Sequence, residues 1–306
     1  MAISLRRFDL VTIRLYIATV EAGSLTAGAH RFGISLAAAS KRVAELERSL
    51  GAAMLARTKR GIVPTTAGET LYRHAVRLVA DLEQLAVAMG DYGRGVQGHV
   101  RLWANTSAVN GFLPARLADY LAAHPRIRID LEEAPSDAVV HAVASGLADL
   151  GVFAENTAAG ALQTRVCDTD ALVLLVPAGH ALARRRRVRF VQALDHDFVG
   201  LDRSTSLLRL LNAAAEAQAK PLRMRVQLRS FDAICRMIAH GIGIGVLPRS
   251  AAQPLAAAMR LRMLALDEPW AERRLLLGWR DAATLSPWAR AMVDTITGDP
   301  AGADAA

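Results

Sequence analysis

Ser40, Lys41 and Arg42 lie in the second of two short helical segments, which Ser35 opens. A hydroxyl beside two cations on one helix can reach the phosphates and base edges of duplex DNA. The residues just before them determine whether such a helix can be presented. Ser24 sits where a serine caps a helix start, Gly33 where a left-handed residue ends that helix, and Ser35 where the next begins. Two helices are thus joined by Gly33-Ile34-Ser35 alone, which predicts a helix-turn-helix. In the second helix Ala39, Val43, Leu46 and Leu50 recur at helical spacing as an inner stripe. Ala37, Lys41, Ala44 and Arg48 lie opposite, with Ser40 beside them. Small residues there allow close approach to a base edge. The alternative is a surface helix with a solvated basic face.

Charge favours the first reading. Residues 1–66 hold ten Lys or Arg against four acids, an excess of six, while the whole chain is only +8. A basic excess concentrated in one small region suits phosphate neutralisation. An anionic membrane would also attract it, but no basic amphipathic helix or lipidation signal is present. Upstream, Leu10, Ile13, Leu15, Ile17 and Val20 form the apolar body of a first helix. Downstream, Arg57, Lys59 and Arg60 stand in a turn with Gly61 between two extended pieces, which predicts a wing. Thr66 to Glu69 fits a capping box with Thr66 at the cap, opening a helix of roughly 36 Å at 1.5 Å per residue to Gly90. Its Leu71, Ala75, Leu78, Leu82, Leu85 and Met89 alternate steps of four and three, a coiled-coil seam read here as a dimer interface.

From His99 on, strands alternate with helices, which implies parallel α/β sheets. Expected strands include Ala171–Val176 and Arg273–Trp279. Expected helices include Ser136–Ser145, Thr205–Ala219, Phe231–His240 and Pro287–Thr297. Ligands of such sheets gather at strand ends and helix starts. Asn105-Thr106-Ser107, Arg203-Ser204-Thr205-Ser206 and Ser230-Phe231-Asp232 occupy such places. Together they offer hydroxyls, N–H groups and one aromatic wall for a small anion or carboxylate.

Enzymatic readings lack their residues. The eight histidines are scattered, with no HExxH or CxxC spacing and no GxSxG elbow. Gly241-Ile242-Gly243-Ile244-Gly245 follows a helix and precedes a strand, the reverse of a dinucleotide fingerprint, and reads as a helix end. Cys167 and Cys235 lie in apolar contexts as buried thiols. The run Arg184–Arg187 reads as a solvated loop, with phosphate or an acidic partner as the alternative. No export signal or membrane span is expected, which places the chain in the cytoplasm and disfavours a solute-binding protein.

These residues resemble the LysR-type transcriptional regulators of bacteria. The resemblance runs from FDLVTIRLYIATVEAGSLTAGAHRFGISLAAASKRVAELERSLGAAMLART through IVPTTAGETLYRHA to GLADLGVFAE, LVLLVPAGHALA and FDAICRMIAHGIGIGVLP. It implies an all-α winged helix-turn-helix domain (1–66) and a linker helix (67–92). A two-lobed α/β periplasmic-binding-protein-like effector domain (93–298) follows, with lobe I at 98–166 and 269–298 and lobe II at 167–268; residues 299–306 form a disordered tail. The implied DNA-facing set is Ser24, Thr26, Ser35, Leu36, Ala37, Ser40, Lys41, Arg42, Arg57, Lys59, Arg60, Thr65 and Thr66. Leu36-Ala37 stand where the family often has Gln-Pro, so a glutamine–adenine contact is excluded and more of the reading falls on Lys41, the wing and DNA shape. Asn105, Thr106, Ser107, Ser204, Ser206 and Phe231 would line the effector cleft. The implied partners are promoter DNA, further copies of the chain as dimer and tetramer, and RNA polymerase; the implied ligand is an effector, with no metal or cofactor.

Overall fold

The computed structural model describes residues 9–58, 61–92 and 98–298. Lys59, Arg60, the tail 299–306 and the side chain of Met89 lie outside the described residues. Apart from the short stretch Ser145–Leu147, residues up to Arg94 form one compact unit and those from Gly95 another.

The first unit contains α1 (Leu10–Ala22), α2 (Leu25–Arg31), α3 (Leu36–Leu50), β1 (Leu55–Thr58), β2 (Gly61–Pro64) and α4 (Thr66–Tyr92). The polar punctuation of the sequence sets the helix ends. Asp9 accepts from Thr12 N at 2.8 Å, Ser24 from Ala27 N and Ser35 from Ala38 N. Left-handed Gly23 and Gly51 end α1 and α3. Gly28 lies inside α2 despite the helix penalty of glycine, because a Cβ there would fall 2.6 Å from Thr19 Oγ1 of α1. Leu15, Ala29, Ala39 and Val43 fill one small core, and Tyr16, Leu46 and Met54 another. Leu10, expected in the apolar body of α1, is exposed, while Tyr16 and Thr19 are buried. Their polar tips are satisfied: Tyr16 donates to Gly68 O at 2.9 Å and Thr19 to Leu15 O at 2.8 Å.

The start of α4 corrects the expected capping box. Thr65, one residue earlier than expected, is the cap, accepting from Gly68 N at 3.0 Å and donating to Ala53 O at 2.7 Å. The second bond ties the cap to the chain before the wing, an option Thr66 lacks because it is already helical.

The second unit contains β3 (Gly98–Ala104), α5 (Thr106–Val109), α6 (Leu113–Ala123), β4 (Ile127–Glu133), α7 (Ser136–Ser145), β5 (Leu150–Ala154) and β6 (Gln163–Pro177). There follow β7 (Arg187–Val188), α8 (Phe190–Ala193), β8 (Phe198–Leu201), α9 (Ser206–Glu216), β9 (Met224–Leu228) and α10 (Phe231–Ala239). The last elements are β10 (Gly245–Pro248), α11 (Arg249–Ala258), β11 (Leu261–Leu266), β12 (Glu272–Trp279) and α12 (Pro287–Thr297). Lobe I is the sheet β4-β3-β5-β12-β6, and lobe II joins β10, β11 and β7 to the far half of β6, with β8 and β9 paired beside β10. The sheets are mixed, not parallel as expected. β4, β3 and β5 are parallel, whereas β12 and β6 run antiparallel side by side and carry the chain between the lobes. The expected lobe boundary at 166/167 falls inside this fifteen-residue strand, at a bulge where buried Cys167 bonds Leu275 O. Each lobe has its own apolar core.

Candidate functional site

Two regions gather the candidate residues. In the first unit the buried stripe Ala39, Val43 and Leu46 turns the opposite side of α3 outward. Leu36, Ala37, Ser40 and Lys41 are all exposed, Leu36 to 48%. Ser35 is exposed but caps α3, Ser24 caps α2, and Thr26 and Thr66 are exposed. Two expected contacts are already engaged within the fold. Thr65 is the α4 cap, and Arg42 donates to the Asp9 carboxylate at 3.3 Å and to Thr12 Oγ1 at 3.1 Å, which ties α3 to the start of α1. Burial alone would raise the Asp9 pKa. The Thr12 hydrogen bonds and the Arg42 charge outweigh it and hold the carboxyl below its ordinary value.

The wing is anchored at both ends. Glu47 of α3 accepts from Met54 N at 2.8 Å and Leu55 N at 3.1 Å, and Ile62 N donates to Gly23 O at 2.8 Å. Gly61 has φ 125°, and a Cβ there would lie 2.6 Å from Gly23 O, so only glycine fits. Arg57 is exposed on β1 of this fixed ribbon. On α4, Leu71 packs onto the Tyr16 cluster and Ala75 is buried, so both already serve the single chain. Leu78, Leu82 and Leu85 remain exposed in one stripe.

The second region lies between the lobes. Asn105 caps α5, accepting from Ala108 N, and donates to Ser136 Oγ at 3.2 Å. Ser136, first residue of α7 in lobe I, meets Ser206, first residue of α9 in lobe II, with hydroxyls 3.4 Å apart. Asn156 donates to Ser206 O, and Arg209 pairs with Asp137 at 2.7 Å across the same gap. The lobes are therefore closed on one another, and the floor between Asn105, Ser107, Ser136 and Ser206 holds only about 20 Å³. The open part of the cleft, about 230 Å³, lies further out. It is lined by Thr106, Glu133, Asp202, Ser204 and Arg229 among others. Thr106 donates to Glu133, and Ser204 donates to Asp202 through both its N–H and its hydroxyl. That hydroxyl bond, with Arg229 nearby, holds the Asp202 carboxyl below its ordinary range.

Phe231 is corrected. It is buried in the lobe II core, on the inner stripe Phe231, Ile234, Cys235 and Ile238 of α10, and forms no wall of the cleft. Arg273 lies in the β12 span expected only as a strand, yet it reaches the cleft floor through Ser107. It is buried, donates to Ser107 Oγ at 2.8 Å, and its Nε has no partner among the described residues. Burial pushes its pKa down, opposed by Asp170, whose carboxylate accepts from Ser250 at 2.8 Å. Both thiols are buried, which pushes Cys167 up to about 12 and Cys235 to about 11. Among the described residues no cluster of three or more His, Cys, Asp or Glu could hold a metal, and no helix is long and apolar enough to cross a membrane.

Comparison with known proteins matches both regions. The family model described as bacterial regulatory helix-turn-helix protein, lysR family, covers residues 10–69, and that of the LysR substrate binding domain covers 93–299. The nitrogen assimilation regulatory protein nac of Escherichia coli is 28% identical over 285 residues, 93% of this chain and 92% of its own. CbnR, solved full-length with its target DNA, shares the fold with a TM-score of 0.67 at 16% identity, covering 96% of this chain and 100% of its own. The CcmR regulatory domain of Synechocystis PCC6803, in complex with 2-PG, gives 0.61 at 23% identity over 66% of this chain and 97% of its own. A helix-turn-helix head followed by a two-lobed sheet domain, each matched by its own LysR model, makes this chain a member of the LysR family of bacterial transcriptional regulators.

Proposed function

We propose that the exposed face of α3 reads promoter DNA and that a small anionic effector, entering between the lobes, alters that reading. Leu36 meets a thymine methyl, Lys41 a guanine or phosphate, and Arg57 of the wing, with Lys59 and Arg60, the flanking backbone. The exposed Leu78, Leu82 and Leu85 pair with a second copy, which sets two reading heads on two half-sites, and dimers join as tetramers. RNA polymerase is the downstream partner.

The observation that carries the effector reading is Arg273. A buried guanidinium with an open Nε sits behind Ser107, and Ser107 lines the cleft floor together with the starts of α7 and α9, which favours an anion there. The outer cleft, with Glu133 and Asp202 beside Arg229, disfavours one. A carboxylate or phosphate ester therefore binds at the floor, after the lobes part. Its binding shifts the population of lobe arrangements, and with it half-site spacing and DNA bending. CcmR, solved with 2-PG, and CbnR, solved with target DNA, support this division of roles. A selective DNA-binding map on the native genome tests the reading. Enriched promoters that disappear with Lys41→Ala are expected, and a protein without sequence-selective DNA retention would refute it.

A further inference from the structure

The run Arg184–Arg187 is not the solvated loop expected of it. Residues Ala181–Arg184 form a 3₁₀ turn whose Leu182 and Ala183 are buried in the lobe II core. His180 Nδ1 accepts from Leu182 N at 3.2 Å, and Arg185 N donates to Leu182 O at 3.0 Å. Arg186 O accepts from Ala265 N at 3.0 Å, and Arg187–Val188 pairs with β11 as the edge strand of the sheet. The backbone is thus fixed through the whole run while all four guanidinium side chains are exposed.

Most neighbouring charges are accounted for. Arg187 pairs with Asp267 at 3.0 Å, and Glu268 accepts from Phe190 N at 2.8 Å. Elsewhere in this unit Arg229, Arg236 and Arg274 each sit against a carboxylate. Among the described residues no ion pair holds Arg184, Arg185 or Arg186. Three adjacent cations within one screening length, about 8 Å at physiological salt, act as a single patch and repel one another unless a polyanion covers them.

The occupant follows from chemistry. All three side chains are exposed to solvent, so a single small anion would remain hydrated there. Guanidinium forks carried on a fixed main chain suit a backbone of repeated phosphates. In a chain whose other unit is a DNA-binding domain, duplex DNA is held at high local concentration. We propose that Arg184, Arg185 and Arg186 form a second, sequence-independent contact surface for duplex DNA. This surface does not depend on which residues of α3 read bases, and the Lys41→Ala result stands or falls separately.

The test compares full-length wild type with the triple variant Arg184→Gln, Arg185→Gln, Arg186→Gln on a duplex several helical turns long, over a range of salt. The plot of log affinity against log salt is expected to be shallower for the variant by about 0.9 for each phosphate that the arginines neutralise. The corresponding triple Arg→Lys variant keeps the wild-type slope, which separates charge removal from misfolding. Identical slopes for wild type and the glutamine variant overturn the proposal.

Discussion

The reading head and the lobe cleft treat their polar groups in opposite ways. On α3, Leu36, Ala37, Ser40 and Lys41 face outward with no side-chain bond among the described residues, whereas Arg42, the caps and the wing ties are engaged within the fold. In the cleft nearly every polar group is bonded to another: Asn105 to Ser136, Ser136 to Ser206, Ser107 to Arg273. A surface that must meet DNA of varying sequence is preformed and open. A site that must signal occupancy is closed and satisfied until a ligand replaces its internal bonds. On the function proposed above, the head acts as the fixed part and the cleft as the part that changes.

The largest effect that should sharpen this contrast comes from Gly68. A Cβ there would fall 2.0 Å from Met54 O and 2.8 Å from Tyr16 Oη. Gly68→Ala should destabilise the head by about 3 kcal/mol, seen as an earlier denaturant transition of that unit with the effector domain unmoved. Simultaneous loss of both would show that the two do not unfold separately.

Tyr16 gives a smaller effect with a pH signature. Its burial, reinforced by Glu47 and Glu69, pushes the phenol from 10.0 up to about 12. Because the folded pKa is raised, the stabilisation is complete below pH 10 and is lost as pH rises through about 12. Tyr16→Phe should cost about 1 kcal/mol near neutrality and flatten the alkaline limb of the head's stability curve. An unchanged alkaline limb would mean that another group titrates there.

Arg209→Ala should have the smallest effect. The Arg209–Asp137 pair is substantially exposed, so its removal should change stability by only about 0.5 kcal/mol. Amide exchange in the first turn of α9 should nevertheless quicken as the lobes part more often. Unaltered exchange would place the closure elsewhere.

Much of the head was legible in the sequence because its signals are local. Ser24, Gly33 and Ser35 set helix ends within a few residues of themselves, and Pro287–Thr297 matches its expected bounds because Ser286 caps it locally. The first half of β6 was not legible, since Gln163 to Asp170 is polar and a strand spanning two lobes needs no apolar run there. Arg273 was missed as a site because its partners, Ser107 and Asp170, lie more than a hundred residues away and no spacing rule joins them. Phe231 was misplaced although a local signal existed: its step to Ile234, Cys235 and Ile238 marks a core stripe.

The division of labour between head and cleft is tested most directly by promoter affinity in two variants measured side by side without effector. Lys41→Ala should bind about tenfold more weakly, the cost of about 1.4 kcal/mol expected for one base or phosphate contact. Ser107→Ala, which alters only the bond to Arg273, should bind within about twofold of wild type. An equal drop in DNA affinity in both variants would contradict that division.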